Sequence, residues 1–499
     1  MPNLFWAALL LLLSLMSPAA WAADPAAVGG VDGVIRSIFE PISNVITPIV
    51  FAKVPGTEIL WIVMWLAIAS VTCTVYLRFI QFRLFGLALQ AVRGRFSQKT
   101  DQGEVSHFQA LSTALAGTVG LGNIAGVAVA ISIGGPGATF WMIMMGLCGM
   151  ATKCVECTLG VKYRQINADG SVSGGPMYYL KAGLAERGFP RFGKFLGATA
   201  ALILAFAAFG IGNLFQVNQA TAQIMNQFQI TEGAYLFGIG FGVACGLVII
   251  GGIKSIARVS GVLVPVMVGI YMLAGAVILG LNIDKLPAAF GAIISGAFTP
   301  EAGFGGFVGA LMQGLKRASF SNEAGFGSAP IAHAAVKTNE PSTEGLVALL
   351  EPFIDTVIIC TMTALVIIVT GAYLDKDVTG AVMTSNAFNA ALPGFDVVLT
   401  ISIVLFAFST MLSWSYYGLK GWTYLFGEKT ALLYKLVFCA MSVIAAAMSL
   451  GAVIDLSDAL VFILAFFNVL GLYFLLPIVR AEINGFLHKL KTGEIKPNK

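Results

Sequence analysis

Two glycine-rich interruptions sit inside apolar runs long enough to cross a bilayer: Gly117-Thr118-Val119-Gly120-Leu121-Gly122-Asn123 and Ser321-Asn322-Glu323-Ala324-Gly325-Phe326-Gly327-Ser328. Glycine costs about 1 kcal/mol per helical position relative to alanine, so neither run reads as a continuous helix. Open backbone at membrane depth survives only where protein covers it or where it lines a polar cavity. A half-helix that starts there aims free N–H groups at an anion, and one that ends there aims free carbonyls at a cation. In the first interruption the amides of Leu121, Gly122 and Asn123 suit a carboxylate, and the carbonyls of Ala116 and Val119 suit a metal ion. The competing reading is close helix packing through small residues.

A second set of oxygens lies in Phe406-Ala407-Phe408-Ser409-Thr410-Met411-Leu412-Ser413-Trp414. The Ser409 and Thr410 hydroxyls and the Phe406 carbonyl fall on one side of a helix. Neutral hydroxyl and carbonyl oxygens suit a hard monovalent ion, whereas a transition metal would call for softer ligands. Bonding of the hydroxyls to their own helix is the alternative. Trp414 is the largest candidate wall of a shared pocket and favours a small solute. Phe209, Gln216 and Asn218 add an aromatic ring and two amides that could read a polar ligand or join helices. Thr118, Ser321 and Gly325 complete the candidate solute contacts.

The elements that position these groups are membrane spans. Of 499 residues 58% are hydrophobic and 11% charged, with mean hydropathy +0.86, against roughly 25% charged in a soluble domain. The net charge of +4 is too small for a nucleic-acid surface, and the seven cysteines lie in apolar runs rather than in a disulfide framework. Residues 1–22 read as a signal peptide and 23–57 as a translocated tail. The expected fold is an all-α polytopic membrane protein of eleven spans, over 58–79, 108–132, 137–163, 194–224, 232–252, 257–281, 307–335, 345–371, 396–419, 430–453 and 456–480. Each has the twenty or so residues that a hydrocarbon core of about 30 Å demands. Connections rich in Lys and Arg alternate with nearly uncharged ones, which places the amino terminus outside and residues 481–499 in the cytoplasm.

The interruptions fall in spans 2 and 7. Counting five spans from each gives an inverted repeat of five plus five, over about 108–281 and 307–480, preceded by one extra helix. The whole of 58–480 is then one transporter domain. Connections near 174–188 and 379–392 have amphipathic helical character. Matched broken spans in two halves point to a transporter's binding site.

Several ionisable residues lie within the spans. Glu351 and Asp355 share a face of span 8, with Asp355 a candidate for a second cation site beside Asn123 and Ser321. Lys153 and Glu156 share a turn of span 3 as a structural pair, and Lys316 with Arg317 could gate against Asp396, Asp455 or Asp458. His107, His333 and His488 read as too scattered for an enzyme's site, and no Walker A motif is present to bind a nucleotide.

The chain resembles the alanine or glycine:cation symporter family through nearly all of 58–480. The stretches that carry the likeness are ALAGTVGLGNIAGVAVAI (114–131), GGPGATFWM (134–142), SGGPMYYL (173–180), FSNEAGFGSAPIAHAA (320–335) and FAFSTMLSWSYYG (406–418). The resemblance implies the five-plus-five fold of neurotransmitter:sodium symporters. It also implies sodium-coupled import of small neutral amino acids, alanine and/or glycine, across a bacterial inner membrane, by a protein acting as a monomer and without a cofactor. It assigns sodium to Ala116, Val119, Phe406, Ser409 and Thr410, and carboxylate recognition to Leu121, Gly122 and Asn123. On span 4, Phe209 and Gln216 stand where the neurotransmitter-symporter pattern has a carboxylate-binding tyrosine. One charge crossing 100 mV supplies about 2.3 kcal/mol and a tenfold gradient about 1.4, enough for accumulation of several hundredfold.

Overall fold

A computed structural model describes residues 43–98, 100–299, 306–375, 377–378, 380–448 and 450–498, with side chains omitted for 450–456. The expected signal segment 1–22, most of the tail 23–57 and the Asp455 side chain therefore lie outside the described residues. Helix dominates what remains, with one short antiparallel hairpin pairing Gln165–Ile166 to Val172–Ser173. Among the described residues seven helices are long and apolar enough to cross a membrane, and eight if the bent pair His107–Thr118 and Gly122–Gly134 counts as one. This is a multi-pass membrane protein. Two further apolar helices, Trp61–Tyr76 and Ala234–Ile249, match spans 1 and 5.

Span 2 starts where its sequence says a helix should. Ser106 accepts from the Gln109 amide at 3.2 Å, and the Gln109 side chain returns the bond to the Ser106 amide at 3.0 Å, a reciprocal cap that satisfies two otherwise open donors. The helix ends at Thr118, Val119 turns out of it with ψ 88°, and the chain resumes after a 52° bend. Span 7 breaks harder. Its first part, Gly306–Asn322, is followed by three residues with positive φ, Glu323 (+55°), Gly325 (+96°) and Gly327 (+78°), before the single turn Ala329–His333. Glycine occupies that region freely, whereas Glu323 stays there only because its surroundings hold it.

Three spans that meet near these breaks contain wide, π-type turns: Gly122–Gly126, Gly210–Leu214 and Phe353–Cys360. Such turns insert a residue and re-aim the side chains beyond them, and they occur often at functional sites. At Gly212 an added Cβ would lie 2.1 Å from Trp414 Cβ, so glycine is what lets spans 4 and 9 touch there.

The boundaries differ from the sequence expectation in three places. Span 9 extends to Phe426, and span 11 belongs to one helix, Leu450–Thr492. Both continue because helical backbone need not stop at the edge of the lipid. A helix not anticipated, Leu286–Phe298, follows span 6, and Trp141 donates to its Ala297 carbonyl at 3.1 Å. The connections near 174–188 and 379–392 are helical as expected, over Pro176–Glu186 and Gly380–Ala391.

Candidate functional site

The first break is organised by two side chains that take over backbone donors. In an uninterrupted helix the amides of Gly120 and Leu121 would close onto the carbonyls of Ala116 and Gly117. Instead the Gly120 amide donates to Asn123 Oδ1 at 2.9 Å and the Leu121 amide to Gln216 Oε1 at 3.4 Å. The carbonyls at the end of His107–Thr118 are thereby released from their helical partners. The expected cradle of three amides is thereby reduced: that of Leu121 is taken by Gln216 and that of Asn123 turns back to the Gly120 carbonyl at 3.2 Å, because the break is held together by its own donors.

Span 9 lies directly against this break. An added Cβ on Gly120 would meet Thr410 Oγ1 at 2.4 Å. Ser409 and Thr410 both donate to the Phe406 carbonyl, at 2.9 and 3.0 Å. For the two hydroxyls these bonds use the protons and leave oxygen lone pairs free for a cation, whereas the Phe406 carbonyl accepts both bonds and so has its lone pairs occupied. Ala116, Val119, Phe406, Ser409 and Thr410 are all buried. Ser413 adds a bond to the Thr113 carbonyl at 2.6 Å, which fixes span 9 to the first half of span 2.

Asp355 ties the two breaks together. Asn123 Nδ2 donates to its Oδ1 at 2.6 Å, and Ser321 Oγ and Thr356 Oγ1 donate to Oδ2 at 2.9 and 2.7 Å. The residues singled out as a second cation cluster are thus brought into one group. Beside them Glu323 accepts from Trp414 Nε1 at 2.9 Å and from Ser328 Oγ at 2.5 Å. Sequence reasoning passed over Glu323, although a carboxylate inside an otherwise small and apolar break was the signal.

Two candidate solute contacts lie elsewhere. Phe209 packs on Tyr434 and Phe438, with ring centroids 5.2 and 5.7 Å away, and so faces span 10. Gly325 turns toward spans 1 and 11, where an added Cβ would meet Leu66 at 2.8 Å and Val469 at 3.1 Å. Thr118 bonds back to the Ala114 carbonyl at 3.3 Å. Gly122 does reach the second break, 3.4 Å from Ser321 Cα by the same measure.

The ionisable pairs also rearrange. Lys153 pairs with Glu351 at 2.8 Å, not with its helical neighbour Glu156. Glu156 accepts from the amides of Gly325 (3.2 Å) and Gly327 (2.8 Å) and from Asn468 Nδ2 (2.7 Å), capping the second break from span 3. His107 and His333, expected to be scattered, converge on opposite oxygens of Glu344 because the start of span 8 passes between them. Lys316 and Arg317 both reach Asp458, at 2.8 and 3.1 Å, whereas Asp396 accepts from Gln227 at 2.5 Å.

Paired broken helices, open carbonyls and buried hydroxyls, with both breaks joined by one carboxylate, define a membrane transporter rather than an enzyme. Residues 45–499 match the sodium:alanine symporter family, and the chain belongs to it, among the cation-coupled amino-acid symporters. The chain is 43% identical to the sodium/alanine symporter AgcS of Methanococcus maripaludis, over 85% of this chain and 93% of that protein. It is 30% identical to the probable sodium/glutamine symporter GlnT of Bacillus subtilis, over 88% and 91% of the two chains. Its fold is similar to that of MhsT crystallised with L-phenylalanine, with a TM-score of 0.55 at 15% identity over 77% of this chain and 98% of that one.

Proposed function

We propose that the protein imports small neutral amino acids, alanine and/or glycine, together with sodium by alternating access across a bacterial inner membrane. In this reading eleven spans form an extra helix and a five-plus-five inverted repeat, with the amino terminus outside and the carboxyl terminus cytoplasmic, and one chain is the working unit. The observation that carries it is the diversion of the Gly120 and Leu121 amides onto Asn123 and Gln216. It sets the Ala116 and Gly117 carbonyls free, the turn of the Asn123 amide onto Gly120 frees that of Val119, and Thr410 stands against Gly120, which supports an oxygen cage for a hard cation next to the Gly122 amide. The names of AgcS and its relatives support sodium and alanine as the cargo.

Saturable, charge-moving uptake of radiolabelled alanine and glycine into proteoliposomes, present with an inward sodium gradient and absent without it, is the expected result. Uptake indifferent to sodium would reject the coupling. Thr410→Ala removes one oxygen from the cage, and the sodium concentration for half-maximal uptake should rise about tenfold, equivalent to about 1.4 kcal/mol. Unchanged sodium activation would remove Thr410 from the site.

A further inference from the structure

A buried row of ionisable groups joins the start of span 2 to span 3, and its proton count does not close. His107 Nδ1 contacts Glu344 Oε2, His333 Nδ1 lies 2.6 Å from Glu344 Oε1, and His333 Nε2 lies 3.6 Å from Glu351 Oε2. Lys153 Nζ takes the other oxygen of Glu351 at 2.8 Å. All five side chains are buried. There are three nitrogen-to-oxygen contacts, yet two neutral imidazoles carry only two N–H groups, and ionised carboxylates carry none. One contact therefore sets lone pair against lone pair. His333 Nε2 and Glu351 Oε2 are the two buried atoms that face each other without a hydrogen-bond partner. His107 Nε2 also lacks a partner but has no carboxylate opposite it.

We propose that this cluster is a proton-binding site, with the third proton held between His333 Nε2 and Glu351 Oε2. Taken up from water, it completes the row as N–H···O bonds and makes one imidazole cationic. The surrounding charges favour this. Span 3 contributes Lys153 on Glu351, Glu156 on the second break and the Cys157 thiol beside Glu351 and Glu344. Arg164, just past span 3, reaches the Ala334 and Val336 carbonyls at 2.8 and 2.6 Å and lies within electrostatic range of Glu344. Span 7 contributes Glu323, and span 9 the Tyr417 hydroxyl, buried without a partner. Five fully buried carboxylates, those of Glu156, Glu323, Glu344, Glu351 and, one turn beyond Glu351, Asp355, thus stand in and around the row against one fully buried ammonium, that of Lys153. Buried charge of one sign is costly until it is compensated, and the bound proton supplies part of the missing positive charge. Because the row spans elements 2, 3, 7 and 8, losing that proton weakens their mutual attachment.

The test uses the full chain purified in detergent, with thermal unfolding followed from about pH 6 to about pH 10. The wild type should lose a few °C per pH unit as the pH rises, because the folded state holds a proton that the unfolded state gives up more easily. His333→Gln should lack that part of the slope, and Glu351→Gln is the second variant, judged by the same criterion. A wild-type melting temperature that does not vary with pH overturns the proposal without any variant. A folded His333→Gln or Glu351→Gln protein that keeps the wild-type slope also overturns it. Sodium-driven alanine uptake measured in parallel separates the two readings: an intact slope with no uptake at any pH supports the proton site and counts against the symport assignment alone.

Discussion

Gly120→Ala is expected to cut sodium-driven amino-acid uptake by roughly 100-fold, equivalent to about 2.7 kcal/mol. The new methyl carbon would stand 2.4 Å from Thr410 Oγ1 and 3.4 Å from Gln216 Oε1. One of these groups is a candidate cation ligand, and the other holds the Leu121 amide away from its helix. Either span 9 retreats, which opens the oxygen cage, or Gln216 is pushed aside and the Leu121 amide closes onto the Gly117 carbonyl, which tightens the break. The first takes the Thr410 hydroxyl away from the ion and the second re-engages the open end of the helix, so either one breaks up the cage. Gly269→Ala is the control, because an added Cβ there meets nothing within 4 Å. Uptake in proteoliposomes decides the matter: a Gly120→Ala protein with normal sodium activation would show that the break and Thr410 do not share a cation.

The second large effect concerns folding. Glu156→Ala removes the acceptor of three buried donors, the amides of Gly325 and Gly327 and the side chain of Asn468. Each buried donor left without a partner costs about 1–3 kcal/mol, so destabilisation of about 5 kcal/mol is expected. Glu156→Gln should fall between, since its one remaining carbonyl oxygen can still serve part of the cap. Melting temperatures of the three proteins in detergent, with and without sodium and alanine, measure this. A Glu156→Ala protein as stable as the wild type would mean that the second break is capped by something else.

Much of this arrangement was legible in the residues. Spans announced themselves by apolar length, and the breaks by glycines placed where a helix would otherwise run on. Asn123, Ser321 and Asp355 were recognisable as partners because each is a polar group in an apolar stretch, and the structure does gather them. What could not be read was the direction in which each group points. Gly325 lies within the second break, yet its backbone turns toward spans 1 and 11 rather than toward Gly122. Lys153 and Glu156 are three residues apart, which suggests a pair, but partners outside their own helix claim both. His107 and His333 are separated by more than two hundred residues, and only the path of span 8 makes them neighbours on Glu344. Spacing along one helix constrains local geometry, whereas ligands drawn from several helices depend on rotations that three wide turns impose.

The helix Leu450–Thr492 is 43 residues long. At 1.5 Å per residue it measures about 65 Å, roughly twice the hydrocarbon thickness. Its final turns therefore stand clear of the lipid, braced where Lys489 meets Glu340 and Glu482 meets Lys162, each at 2.6 Å. A fluorescent label or antibody fragment fixed near its tip would report on the buried part of the same helix across Pro477, where the missing amide lets the helix bend.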